Sequence, residues 1–382
     1  MPLYLYPTAF LASALICWLC NQLELISWRR TTGAHWTERA RALHPARVAR
    51  DLNILLVPAG WAFASLLWAP ERSWMLMAGC ALLGSLLGNF PMDRAIYPDL
   101  NFASWIRQVS SGLLLEAISG ALYGVAAFCM PVEPGMKMAI VTGAALALHF
   151  ALQFGLGIRL ARWLGLLRPA TDRLRTLVTE TSARLNVSVR ATWVISSSAA
   201  NALAYVVTQE LAFTEKLVAA FSDEEIRAVC AHELGHLSES RWTRAARLLG
   251  SLAIFPAIFF RPAVAHGGDG LAILGVAYFA IRQSAVYLAR RMENRADQVA
   301  VAADGAESGT YARTLEHIHE INLIPATKQR PGSGTHPSLY DRLVAVGATP
   351  AYPRPLAPRD WSWTSIGCGI LVGLMALAFF TK

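Results

Sequence analysis

Charge is what this 382-residue chain has least of. Only 16% of its residues are Asp, Glu, Lys or Arg, against about 25% in soluble domains. Hydrophobic residues make up 54%, and mean hydropathy is +0.38. That composition excludes an ordinary water-facing surface, so much of the surface must face lipid. Lysine is scarce too, and the cations are nearly all Arg. A net charge of +8 and a pI near 9.4 could suit nucleic acid. However, the Arg residues sit in short stretches beside apolar runs, where positive-inside topology accounts for them, so nucleic acid is not an expected partner. Cysteine is too sparse for a disulfide framework. Cys17, Cys20, Cys80, Cys129 and Cys368 fall within apolar runs, and Cys230 lies elsewhere. Cys17 and Cys20 have redox-pair spacing but no βαβ context. No internal repeat or low-complexity segment is visible.

A bilayer span needs about 20 mostly apolar residues. Candidate spans lie at roughly 3–27, 52–69, 73–90, 112–130, 138–160, 248–264, 270–288 and 362–380. Three of these, 52–69, 73–90 and 248–264, are short or Pro-interrupted and could be re-entrant or interfacial. The first has no basic leader and is long, which predicts an uncleaved helix. Arg29, Arg30, Arg39, Arg41, Arg47 and Arg50 crowd the segment 28–51, and Arg159, Arg162, Arg168, Arg173 and Arg175 open the central region. The segments 70–72, 131–135 and 265–269 carry few cations. The expected topology is an outside N-terminus, with the central region and residues 290–360 on the cytoplasmic side of a cell (inner) membrane. The basic segment 28–51 reads as this topology signal, with anionic lipid headgroups as the alternative.

Between the spans, residues 165–246 do not look membrane-like. Leu174, Leu177, Val178 and Leu185 form one stripe of an amphipathic helix over 171–185. Alternation around Val187, Val189 and Val194 predicts a strand over 186–196, and 204–208 predicts a second. Ser222 and Glu225 have capping-box spacing, which opens a helix at about 223. Pro and Gly density makes 325–338 a loop. The expected organisation is N-terminal helices over 1–164, the two parts of one polar domain over 165–246 and 290–360, a transmembrane hairpin over 247–289, and a last helix over 361–382.

That polar helix contains His232-Glu233-Leu234-Gly235-His236. Residues four apart share one helix face, so both imidazoles can reach one cation. Zinc suits nitrogen ligands in a tetrahedral site, and Glu233 is placed to take a proton from a metal-activated water. Asp223, Glu224 and Glu225 are too far up the helix to supply a third ligand. Glu293, in Glu293-Asn294-Arg295-Ala296-Asp297, follows the hairpin, which leaves and returns on the same side. It could complete the site, with Asp297 holding a ligand imidazole. On spacing alone, Glu293 and Asp297 could equally be a solvated face paired with Arg290, Arg291 or Arg295.

Four features together resemble the M48 family of integral-membrane metallopeptidases, of Ste24 and HtpX type. They are the HELGH at 232–236, the E-x-x-A-D at 293–297, the N-A-x-A at 201–204, and the T-H-P-S at 335–338 followed by Arg342. The resemblance implies an α-helical multipass membrane protein with an embedded zincin-like (gluzincin) α+β catalytic domain. It implies that His232, His236 and Glu293 bind one Zn2+, with Glu233 the general base. It further implies that Asp297 orients a ligand histidine, that Arg342 braces the site, and that Asn201 and His336 contact the substrate or oxyanion. Residues 204–208 would be an edge strand on which an extended peptide adds. The implied function is a metalloendopeptidase acting on membrane-associated or misfolded proteins in the lipid bilayer. Oligomeric state is not legible.

Two other readings compete. One is a membrane sensor or transducer built on the same fold, as in M56-type receptors. Only Thr381-Lys382 follow the last span, which leaves the expectation that no extracytoplasmic ligand domain follows. The other is a non-catalytic scaffold with a degenerate site, against which stands the presence of every candidate catalytic residue. Glu116 and His149 lie inside apolar spans, where a satisfied structural pairing is the expectation.

Overall fold

A computed structural model describes residues 4–68, 73–304, 309–328, 337–364 and 366–367, with the backbone alone within 62–75. The chain opens with three long helices, α1 (Leu5–Arg29), α2 (Trp36–Trp68) and α3 (Ser73–Ile96). The sequence Gly84-Ser85-Leu86-Leu87-Gly88 places small residues one turn apart on α3, and they let α1 come close. A Cβ on Gly84 would sit 2.1 Å from the Phe10 carbonyl oxygen, and one on Gly88 would sit 2.4 Å from that of Ala14. Asn21 donates to Asn89 at 2.7 Å across the same interface.

Two helical stretches follow. In the first, α4 (Phe102–Gly112) runs through a π turn at Leu113–Ala117 into α5 (Ile118–Cys129). In the second, α6 (Met136–Ala151) runs through another at Leu152–Leu156 into α7 (Gly157–Trp163). Gly155, at φ +98°, supplies the backbone conformation that the second π turn needs. His149 is buried, and its partner is the Ser251 hydroxyl at 2.8 Å rather than Glu116.

The polar region folds as a four-stranded sheet with helices packed on it. Its elements are β1 (Leu167–Pro169), α8 (Asp172–Leu185), β2 (Ala191–Ile195), β3 (Ala202–Tyr205), β4 (Glu210–Thr214), α9 (Glu215–Ala220) and α10 (Asp223–Leu237). The strand order is β1-β2-β4-β3, with β2 parallel to β4 and the other pairs antiparallel. The strand expected over 204–208 starts two residues earlier and ends at Tyr205. Residues 206–209 instead form a turn closed by Gln209 at φ +57°. The strand expected over 186–196 is confined to 191–195. Neither β1 nor β4 is expected from sequence. Leu211, Ala212 and Phe213 of β4 are all buried, and a strand covered on both faces loses the alternation that marks one.

Two packing layers meet on α10. Ile226, Val229, Cys230 and Leu234 face Leu174, Leu177, Val178, Leu211 and Phe213. Ala228 and Ala231 face Ala300, Tyr311, Ala312, Leu315 and Leu339. The expected cap is present: Ser222 accepts from the Glu225 amide, and Glu225 accepts from that of Ser222.

After α11 (Arg241–Gly250), the chain turns through a 3-10 segment at Phe255–Phe259 into α12 (Phe260–Ala265) and then the 38-residue α13 (Gly267–Asp304). Pro256 and Pro262 account for the broken path before α13. The most apolar stretch of α13 has no buried residue, whereas Met292, Glu293, Ala296, Asp297 and Ala300 nearer its end form a buried stripe. One helix therefore serves lipid with one half and the polar region with the other. The last helices described are α14 (Thr310–Ile321) and α15 (Leu339–Ala345).

Five helical stretches among the described residues are long and apolar enough to cross a membrane: Leu5–Arg29, Phe102–Cys129, Met136–Trp163, Arg241–Ala265 and Gly267–Asp304. The spans expected at 52–69 and 73–90 lie in α2 and α3, and most of the span expected at 362–380 lies outside the described residues.

The crossing of α10 and α13 is set by Gly235. A Cβ there would meet the Ala296 Cα at 2.9 Å and its Cβ at 3.2 Å. Neither atom can rotate away, so Gly235→Val should destabilise the fold by at least the ~1–3 kcal/mol typical of overpacking. Gly79 has nothing within 4 Å of such an atom, so Gly79→Ala should match or slightly exceed wild type. Thermal unfolding of the two variants in the same detergent checks the contrast. Equal midpoints would mean that the crossing is not close.

Candidate metal centre

Helix α10 carries both histidines, and α13 crosses it with Glu293 on the facing stripe. Helical spacing sets the imidazoles nearly perpendicular, with ring centres 5.0 Å apart. Nε2 of His232 lies 3.6 Å from one Glu293 carboxylate oxygen, and Nε2 of His236 lies 3.4 Å from the other. One ligand atom from each residue falls within 4.8 Å of the other two, so these three could hold one metal ion. Glu233 is buried beside them.

The other side of each ring decides whether the donors fit a divalent cation. Nδ1 of His232 meets the Tyr311 hydroxyl at 2.8 Å and Asp297 at 3.1 Å. Nδ1 of His236 meets Glu239 at 3.3 Å. A ring that donates from Nδ1 leaves the Nε2 lone pair free, and both Nε2 atoms point to Glu293. Two neutral imidazoles and a carboxylate are the donor set that divalent zinc or a similar ion takes. Arg247 also approaches Nδ1 of His236 at 3.2 Å, but a guanidinium can only donate. The tautomer that ligates from Nε2 therefore gives Nδ1–H to Glu239, while Arg247 bonds that same carboxylate at 2.5 Å.

The supporting groups are tied in turn. Arg342 is buried and binds Asp297 through two bonds, Nε to Oδ2 at 2.9 Å and Nη2 to Oδ1 at 2.6 Å. Tyr311 donates to Asp297 at 2.6 Å while touching His232. Burial favours the neutral form of Arg342, but Asp297 outweighs it and drives its pKa further up. Burial also pushes Tyr311 well above its ordinary value, so its hydroxyl keeps its proton. Cys230 is no competing ligand, because burial lifts its thiol to about 12.

Every candidate site residue among those described falls in one of two places. His232, Glu233, His236, Glu293, Asp297 and Arg342 come together at the α10–α13 crossing. Asn201 lies at the start of β3, which packs beside α10, with its side chain exposed. His336 lies outside the described residues. Sequence reasoning missed Tyr311, Glu239 and Arg247. Glu239 stands three residues after His236, a spacing that could have marked it. Tyr311 carries no such signal, since its contacts arise only when α14 docks on α10 and α13.

Residues 169–349 match peptidase family M48. The fold is similar to the crystal structure of S. mikatae Ste24p, with a TM-score of 0.54 at 14% identity, over 91% of this chain and 99% of that one. Among curated proteins, none matches the chain.

Burial disfavours a charged ring at His236, yet Glu239 and Glu293 outweigh it and push its pKa up to about 9. His232 is raised as well, because Asp297 and Glu293 overcome its burial. The metal-free His236 ring thus holds a proton at neutral pH, and a metal must displace it. Apparent metal affinity should climb as pH rises toward about 9, roughly tenfold per unit for each proton released. Chelator competition across that range reads the slope. A flat response would mean that the rings are neutral without metal.

Proposed function

We propose, from the match of residues 169–349 to peptidase family M48, that this chain is a zinc endopeptidase with a site built by α10 and α13. The chain is a membrane metallopeptidase by its family and its multipass helical fold. In this reading His232, His236 and Glu293 hold one Zn2+ per chain. The supporting observation is that both Nε2 atoms face one carboxylate while both Nδ1 atoms are held from behind.

Bound zinc supplies the electrophile that acidifies the attacking water and polarises the scissile carbonyl. Glu233, adjacent to His232 on the same helix, takes the water's proton on a carboxylate oxygen and delivers it to the departing amide nitrogen. Asp297 and Glu239 keep Nδ1 protonated on the two rings, and Arg342 and Arg247 hold those carboxylates in place. The Asn201 side-chain amide, exposed beside α10, donates to the oxyanion, and His336 shares that task. Strand β3 pairs only with β4 among the described strands, so its outer edge can take an extended peptide as a further strand.

A site at the end of a lipid-facing helix suits membrane-associated or misfolded protein substrates. The Arg-rich segments 28–51 and 159–175 support a site on the cytoplasmic side of a cell (inner) membrane. In this reading the chain would divide into N-terminal helices (1–164), a peptidase domain in two parts (165–246 and 290–360) and the hairpin between them (247–289), with the span proposed over 361–382 lying mostly outside the described residues. No observation favours the transducer or scaffold reading.

Replacing Glu233 with Gln removes the base but none of the ligands. Purified Glu233→Gln should keep one zinc per chain and lose about 10²–10⁴-fold in hydrolysis of a casein reporter, the usual share of a general base. Elemental analysis and hydrolysis rates on one preparation decide the matter. Wild-type rates in the variant would refute the assignment.

A further inference from the structure

Arg47 belongs to α2, near the N-terminus, yet its guanidinium ends in the peptidase region. It donates to the Leu323 carbonyl at 2.8 Å and to the Asn322 carbonyl at 2.6 Å. These carbonyls lie just past the end of α14, where helical partners run out. A cation is well placed there. Leu323 has φ +49°, a conformation that a leucine rarely adopts. What holds it is visible. Its side chain packs against the cluster of Leu25, Leu43, Ala46 and Met92 from α1, α2 and α3. The turn after α14 is thus fixed from the N-terminal helices by the apolar packing of Leu323 and two hydrogen bonds.

The same turn reaches the substrate-facing side. Asn322 is buried, and its side-chain amide reads both main-chain groups of Ala200. Oδ1 accepts from the Ala200 amide at 2.8 Å, and Nδ2 donates to the Ala200 carbonyl at 2.7 Å. The next residue is Asn201. Its amide donates to the Thr214 hydroxyl at 2.8 Å, and its carbonyl accepts from the Thr214 amide at 2.9 Å. All four main-chain polar atoms of residues 200 and 201 are therefore held, while the Asn201 side chain is left exposed where β3 begins.

We propose that Asn322, itself fixed by Arg47, is a positioning residue that aims Asn201 at the substrate, so that the N-terminal helices set the alignment of the oxyanion donor. The proposal rests on the peptidase reading above and on the substrate role given there to Asn201. The geometry favours this over a plain brace. Both Asn322 side-chain bonds fall on Ala200, the residue before Asn201, and none falls on β3 itself. An oxyanion donor acts only from the right place, and a shift of about 1 Å in a site can cost 10²-fold.

The test compares Asn322→Ala, Asn201→Ala and the double variant, each in the full-length protein in detergent, with fluorescein-labelled casein as the probe. Zinc content and melting temperature are measured on the same samples. Asn322→Ala should retain its zinc and lower kcat by about 10–100-fold, with KM much less affected. In the Asn201→Ala background the same change should alter kcat less than about twofold, because its effect runs through Asn201. Multiplying effects in the double variant would overturn the proposal, as would an unchanged kcat in Asn322→Ala. If Asn322→Ala fails to fold, Arg47→Lys takes its place. A flexible ammonium lacks the planar fork that fixes both carbonyls at once, so kcat should fall in wild type and stay unchanged beside Asn201→Ala. A wild-type kcat in Arg47→Lys would then overturn the proposal. Failure of the peptidase reading looks different, because casein cleavage would then survive Glu233→Gln. If Glu233→Gln abolishes cleavage while Asn201→Ala does not lower it, the peptidase stands and this proposal falls.

Discussion

The whole arrangement depends on how closely α13 can cross α10. Gly235 is the contact point, and Ala296 fills the space where any other residue would carry a Cβ. That approach brings a helix which begins among lipid to within ligand distance of two histidines. It also fixes which face of α13 turns inward, because Met292, Glu293, Ala296, Asp297 and Ala300 share one stripe. Glu293 and Asp297 sit one turn apart on that stripe. One carboxylate therefore meets the Nε2 side of the rings, and the other meets the Nδ1 side of His232.

Such a crossing buries charge, and buried charge is tolerated only when paired. The structure meets the demand in two layers. Asp297 is shared by His232, Tyr311 and Arg342. Glu239, almost fully enclosed, is shared by His236 and Arg247. Each carboxylate fixes the tautomer of one ring and is itself fixed by an arginine from another part of the chain. Removing either arginine would leave a buried carboxylate with fewer partners and an imidazole free to turn. The Arg47–Asn322 link repeats this design outside the α10–α13 crossing, tying α2 to the residues that lead into β3.

The sequence made some of this legible and hid the rest for physical reasons. The pair His232 and His236 could be read because helix spacing alone puts them on one face. The start of α10 could be read from Ser222 and Glu225, whose reciprocal bonds are local. Glu293 and Asp297 were ambiguous on spacing, since an acidic helix face flanked by arginines looks the same whether solvated or buried. Only the resemblance to M48 peptidases separated the two readings. The strand β4 was hidden by its burial on both faces, and β1 by its length of three residues. Arg47 and Arg50 read as a topology signal, because an arginine beside an apolar run has the same signature whether it faces water or turns inward. Arg50 pairs with Asp93 at 2.9 Å, and Arg47 caps the turn at Leu323.

The claim that two imidazoles and the Glu293 carboxylate form one metal site can be examined at the metal itself. X-ray absorption at the zinc edge of the purified protein should show nitrogen and oxygen scatterers at about 2.0–2.2 Å and no sulfur at about 2.3 Å. Two of the scatterers should carry imidazole multiple scattering. The spectrum of Glu293→Ala should lose an oxygen scatterer or the metal altogether. An unchanged spectrum in Glu293→Ala, or a sulfur shell in wild type, would contradict the account.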